Sequence, residues 1–164
     1  DPLQVAVELE IEDLISAAID QSQISADNRQ IMVSHTEAKD ALVLGDREQL
    51  VMAIQNLVEN AINYSPEGTK VSVNTTVDQG IVDISITDQG IGIPENDIDR
   101  IFERFYRVDP ARSRQTGGTG LGLSIVKHVA SKHGGEVTVW SVPGVGSTFS
   151  LRLPVYTPTQ ESVQ

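Results

Sequence analysis

The chain has 164 residues, a formal net charge of −11 and no cysteine, with 39% apolar and 21% charged residues. That is enough chain for one domain with a real core, and it excludes both a disulfide framework and a thiolate metal site, with a lean toward the cytosol. The acidic balance argues against a nucleic-acid surface; no apolar run nears the roughly 20 residues of a membrane span, and DPLQVAVELEIEDL lacks the marks of a signal peptide, so the chain reads as soluble.

Residues 3–9 alternate as a short strand. Leu14, Ile15, Ala18 and Ile19 then recur at helical spacing, predicting a helix from Ile11 to about Gln23. Segments 30–34 and 41–45 read as strands. Asp46 with Gln49 forms an Asp and Gln version of the capping box, and the helix it opens, 47–63, buries Leu50, Ile54, Leu57 and Ala61. Tyr64-Ser65-Pro66-Glu67-Gly68 ends it.

Val71–Val77 and Ile81–Asp88 predict a hairpin around Asp78-Gln79-Gly80. Because strand side chains alternate, Asp88 falls on the same face as Val82, Ile84 and Ile86, so its carboxylate is aimed at a sheltered place. Pro94 opens a short helix with Ile98, Ile101, Phe102 and Phe105 on one side. Tyr106 to Thr119 has little periodicity and reads as a mobile loop. A further helix starts near Leu121, carries Ile125, Val126 and Val129, and stops at Gly134-Gly135. Strands Glu136–Trp140 and Ser147–Leu153 follow, joined by Pro143-Gly144-Val145-Gly146, and the polar residues 154–164 read as a frayed tail behind a domain of residues 1–153. Hairpin signals among the helices favour an α+β two-layer sandwich, one mixed and mostly antiparallel sheet with helices on a single face, over a doubly wound parallel sheet.

Three elements carry chemistry. Asn56, Asn60 and Asn63 share one helix face, although asparagine is a poor helix former. Such amides form either a solvated polar face or a hard-oxygen site for Mg2+ and phosphates; Glu59 beside them is either a supporting base or a surface charge. Asp88, in DQGIGIP, could accept from an exocyclic amine such as that of adenine, or merely from the backbone of its own turn. Gly118, Gly120 and Gly122, in GGTGLGL, lead into a helix whose free N–H groups and dipole favour an anion, or they serve as a lid hinge. Between the two glycine loops Arg100, Arg104, Arg107, Arg112 and Arg114 supply five of the chain's twelve Lys and Arg residues, a positive patch on an acidic body.

With the asparagine box, DQGIGIP, FERFYR, GTGLGL and GVGSTF in this order, the sequence resembles the catalytic ATP-binding domain of bacterial sensor histidine kinases, within the gyrase, Hsp90, MutL and histidine kinase ATPase superfamily. It looks closest to actinobacterial phosphate-responsive sensor kinases. The resemblance covers about residues 1–153 and implies the Bergerat ATP-binding fold, with ATP and Mg2+ as cofactors. It implies that Asn60 binds Mg2+ and that Asn56 supports metal and phosphates, with Glu59 and Arg107 in the catalytic set. Asp88 would recognise adenine in a pocket shaped by Gly90, Gly92 and Ile93, helped by Thr148. Tyr64 and Tyr106 would line the nucleotide, and Gly118, Thr119, Gly120, Leu121, Gly122 and Leu123 would wrap the phosphates. At Asn63 the family often has lysine, which leaves the role of that position open.

The phosphoacceptor box of such kinases is not in the sequence; His35, His128 and His133 lack its context and read as surface or packing histidines. The implied activity is therefore transfer of the ATP γ-phosphate to a histidine on a dimerisation and phosphoacceptor domain of the same receptor, with a response regulator downstream. The expected setting is the cytoplasmic part of a membrane-anchored sensor, without direct membrane or nucleic-acid contact. The alternatives are a nucleotide-sensing interaction module, a related superfamily ATPase and an anti-sigma-type protein kinase.

Overall fold

The computed structural model describes residues 6–103, 106 and 122–158. Its framework is a five-stranded sheet in the order β2 (Met32–His35), β4 (Lys70–Asp78), β5 (Ile81–Thr87), β7 (Gly146–Pro154), β6 (Glu136–Val142). Only β2 runs parallel to its neighbour; the other pairings are antiparallel. The β4–β5 turn places Gln79 at φ 51° and Gly80 at φ 79°, the left-handed pair whose twist matches a two-residue hairpin.

One face of this sheet is apolar. Val71, Val73, Val82, Ile84, Ile86, Phe149, Leu151 and Leu153 are buried against α1 (Ile11–Asn28), α2 (Arg47–Tyr64) and α3 (Gly122–Lys132). Each such side chain contributes about 1.5–3 kcal/mol of burial. The opposite face is polar and holds paired hydroxyls, Ser85 with Ser150 at 3.2 Å and Thr87 with Thr148 at 3.0 Å, beside the Asp83–Arg152 ion pair at 2.9 Å. The mixed sheet with helices on a single face is thus as the strand pattern predicts.

Four features differ from that pattern. The strands β1 (Val7–Glu10) and β3 (Leu42–Gly45) leave the main sheet and pair with each other, because each feeds directly into a helix and the pair clamps the starts of α1 and α2. α1 runs to Asn28, beyond the expected end near Gln23, since Ser22 and Ala26 extend its buried stripe. Glu95–Arg100 is a tight 3-10 helix, with Ile101 buried and Phe102 edge-on to Phe149 at 6.2 Å between centroids. The tail starts later than Pro154: Val155 N–H donates to Gly80 O at 2.9 Å and Tyr156 N–H to Leu42 O at 2.7 Å.

Among the described residues no helix is long and apolar enough to cross a membrane.

Candidate functional site

At the end of β5 the strand period carries Asp88 onto the helix-covered face, where it is 6% exposed below the fully buried Val82, Ile84 and Ile86. Its Oδ1 accepts from Gly90 N–H at 2.8 Å and from Ser147 N–H at 3.1 Å. Among the described residues both hydrogen bonds to this carboxylate fall on Oδ1, which leaves Oδ2 for a donor. Burial pushes the Asp88 carboxyl above its ordinary value, and the two backbone N–H groups oppose that rise.

The loop after Asp88 is pressed between two other backbone segments. A Cβ on Gly90 would lie 2.4 Å from Tyr64 O, and one on Gly92, at φ 75°, would lie 2.3 Å from Val142 O. From the other side, a Cβ on Gly146 would meet Asp88 O at 2.2 Å. Three hydrogen bonds lock the assembly: Gly144 N–H to Ile91 O at 2.8 Å, Ile93 N–H to Ser141 Oγ at 2.8 Å, and Ser141 with Ser147 at 2.8 Å. Gly90 and Gly92 therefore admit neighbouring protein backbone. Without them the floor under Asp88 could not form.

The second end is built on α2. Asp46 caps this helix by accepting from Gln49 N–H at 3.1 Å, so half of the expected capping box forms. Its C-terminal end is held by Arg29, whose Nε donates to Ile62 O at 3.0 Å and whose Nη2 donates to Ser65 O at 2.5 Å. Between these anchors Asn56 and Asn60, one turn apart, are half-buried beside the apolar stripe. Among the described residues neither side-chain amide takes a hydrogen bond. α3 begins directly opposite, since a Cβ on Gly122 would lie 3.9 Å from Asn56 Cγ. Asn63 and Tyr64 are half-buried farther along α2, and Leu123 follows Gly122 into the core. Among the described residues no group of three His, Cys, Asp or Glu side chains could hold a metal ion.

Other expected residues stand elsewhere. Thr148 lies on the outer sheet face, hydrogen-bonded to Thr87, and cannot share the helix-side pocket with Asp88; its neighbour Ser147 is the residue on Asp88's side. An odd-residue slip along a strand always exchanges faces. Glu59 accepts from Ser25 at 3.1 Å and from Gln55 at 2.8 Å, so its carboxylate ties α1 to α2. Tyr106 donates its hydroxyl to Asp97 and lies under the Arg100 guanidinium, 4.6 Å from Cζ to the ring centre. Arg107, Gly118, Thr119, Gly120 and Leu121, with Arg104, Phe105, Arg112 and Arg114, lie outside the described residues.

The geometry is matched by known proteins. A family model described as "Histidine kinase-, DNA gyrase B-, and HSP90-like ATPase" covers residues 45–157. The chain belongs to this family. Within it, the chain is 51% identical to the sensor-like histidine kinase SenX3 of Mycolicibacterium smegmatis over 94% of its own length, and spans 40% of that relative. The solved structure of the mycobacterial sensor histidine kinase MprB superposes with a TM-score of 0.78 at 31% identity, covering 94% of this chain and 100% of that one. A full-length ShkA structure in complex with AMPPNP gives 0.82 at 26% identity, covering 97% of this chain and 33% of the other. The fold is thus that of histidine kinase catalytic domains, and the chain is an ATP-binding domain of the sensor kinase kind.

Proposed function

We propose that this chain binds Mg2+-ATP between the Asp88 loop and the α2–α3 junction, and donates the γ-phosphate to a histidine on a dimerisation and phosphoacceptor domain of the same receptor. The observation that most supports this reading is the amide pair Asn56 and Asn60, which takes no hydrogen bond among the described residues, with Asn56 facing the start of α3. Adenine would donate its amine to Asp88, whose burial makes an unmatched partner costly and so rewards the right base. Gly90, Gly92, Ile93 and Ser147 shape that end; Tyr64 lines the nucleotide between the two ends.

Asn60 would hold the metal, which when bound neutralises phosphate charge, and Asn56 would orient it and the phosphates. The loop Gly118–Gly122 and Arg107 would close over the triphosphate, with the α3 dipole favouring its negative charge. Little covalent chemistry is asked of the domain. Positioning and charge neutralisation provide the acceleration as the bond from γ-phosphorus to its bridging oxygen breaks and the bond to the histidine nitrogen forms. In the hydrolytic members of the superfamily a glutamate activates water where this chain has Asn56. An amide there is no base, which conserves the γ-phosphate for histidine. The full receptor would be membrane-anchored and would pass the phosphoryl group to a response regulator.

Titration with ATP and GTP, each with and without Mg2+, tests the site; tight binding of Mg2+-ATP alone is expected. A phosphorylated histidine, labile to acid, should appear when a matching phosphoacceptor domain is supplied in trans. Equal affinity for ATP and GTP would remove the adenine assignment, and tight binding without transfer would favour a nucleotide-sensing module.

A further inference from the structure

His133, just beyond α3, is 8% exposed and bonded through both ring nitrogens. Its Nδ1 is 2.8 Å from Val129 O, which can only accept, so Nδ1 carries the proton. Its Nε2 is 3.1 Å from Asp46 N, a backbone donor, so Nε2 is bare. The ring is therefore a neutral imidazole fixed in one tautomer.

It takes the Asp46 N–H that a complete capping box would give to Gln49, whose Oε1 is buried without a partner among the described residues. Gly45 makes room for it: a Cβ there would lie 2.4 Å from the ring carbon Cδ2. Residue 133 thus meets residue 46 at the start of α2, while residue 122 meets residue 56 ten residues on. The two helices run antiparallel and pack through the shared core, and this hydrogen bond ties the end of one to the start of the other.

We propose that His133 is a positioning residue for the phosphate end of the site: by fastening the end of α3 to the N-cap of α2, it sets the distance between the α3 N-terminus and the Asn56–Asn60 pair. α3 is eleven residues, or roughly 16 Å, long, so a small pivot at its far end becomes a displacement of comparable size where the phosphates would lie. The adenine end, built on the end of β5 and the β6–β7 turn, lies at the opposite end of these strands from His133, which precedes Glu136. The proposal rests on the Mg2+-ATP reading above.

The test compares Mg2+-ATP with adenosine, which has no phosphate, as ligands of the whole chain. His133→Gln places an amide oxygen near the Nε2 position and should keep both affinities. His133→Asn keeps a donor for Val129 O but loses the acceptor, and should lower Mg2+-ATP affinity about tenfold while leaving adenosine within about twofold. Gly45→Ala, which displaces the ring from the other side, should do the same. Equal losses for the two ligands in His133→Asn, or none for Mg2+-ATP, would overturn the proposal. On the unaltered chain, 15N spectra of the imidazole should show Nδ1 protonated and Nε2 bare; the opposite tautomer would overturn it even if the variants failed to fold. A wild-type chain that binds ATP no better than adenosine would instead remove the nucleotide reading, and the proposal with it.

Discussion

The loop Asp88–Pro94 and the amide face of α2 are both rich in polar groups, yet their hydrogen-bonding states are opposite. In the loop nearly every group the structure describes is engaged: Gly90 and Ser147 on Asp88, Gly144 on Ile91, Ser141 on Ile93. On α2 the amides of Asn56 and Asn60 meet nothing among the described residues. A saturated network is a rigid floor, whereas a half-buried pair of amides without described partners leaves good ligand atoms available. The floor orients a single carboxylate oxygen, and in the proposed reading the pair would supply the metal end.

The sharpest way to break this contrast is Asn60→Ala. Mg2+-dependent ATP affinity should fall by about 100-fold, or ~2.7 kcal/mol, with stability within about 0.5 kcal/mol of wild type, because no described partner is lost. Calorimetric titration beside thermal unfolding reads both, and a large loss of stability would mean that the amide is structural.

Gly92→Ala should show the reverse profile. The added Cβ meets Val142 O and the backbone is at positive φ, so stability should drop by about 1–3 kcal/mol, followed by nucleotide affinity. Gly144→Ala, also at positive φ but with nothing within 4 Å, should cost about 1 kcal/mol or less in denaturant unfolding. Equal costs at the two positions would mean that the loop is not clamped.

Asp88→Asn separates function from stability at one atom. Burial raises the Asp88 carboxyl in the folded state, so its contribution to stability is fully present below the unfolded value and is lost as pH rises through the folded one. Once ionised, this carboxylate is a group that burial disfavours. The Asn variant should be as stable as wild type or more so at pH 7, with the margin shrinking in acid, while its preference for ATP over GTP collapses. A variant less stable at pH 7 would show that the carboxylate charge is needed for the floor itself.

The smallest effect is expected at Glu12, remote from both ends. It accepts from Ala38 N–H at 2.9 Å and lies 2.9 Å from His35; the Ala38 N–H first, and then His35 and Ser16, hold its carboxyl below the ordinary value despite partial burial. Its contribution is present above the unfolded value and lost as pH falls through the folded one. With 30% of the side chain exposed, Glu12→Gln should cost less than about 1 kcal/mol at neutral pH, nothing in acid, and no nucleotide affinity.

Much of this was legible locally. Apolar spacing in Leu50, Ile54, Leu57 and Ala61 gave α2, and strict alternation gave β5 and the sheltered Asp88. Motif order gave the family. What escaped depended on partners far away in the chain. Thr148 and Ser147 are adjacent in sequence, and choosing between them needs the strand register against β5. His133 looked like a packing residue because its partner, Asp46, is 87 positions away. Glu59 read as a supporting base or a surface charge because Ser25, which holds it, lies on another helix.

By itself, then, the sequence determined the periodic elements, the sheltered aspartate and the shared face of three asparagines, since these follow from the 3.6 and 2.0 residue periods of a single segment. Tertiary structure alone decided which polar groups were already taken. Gly92 and Val142, or Gly146 and Asp88, are some fifty residues apart, and only when the backbones meet is it settled that these glycines admit protein, while among the described residues the amides of Asn56 and Asn60 take no hydrogen bond.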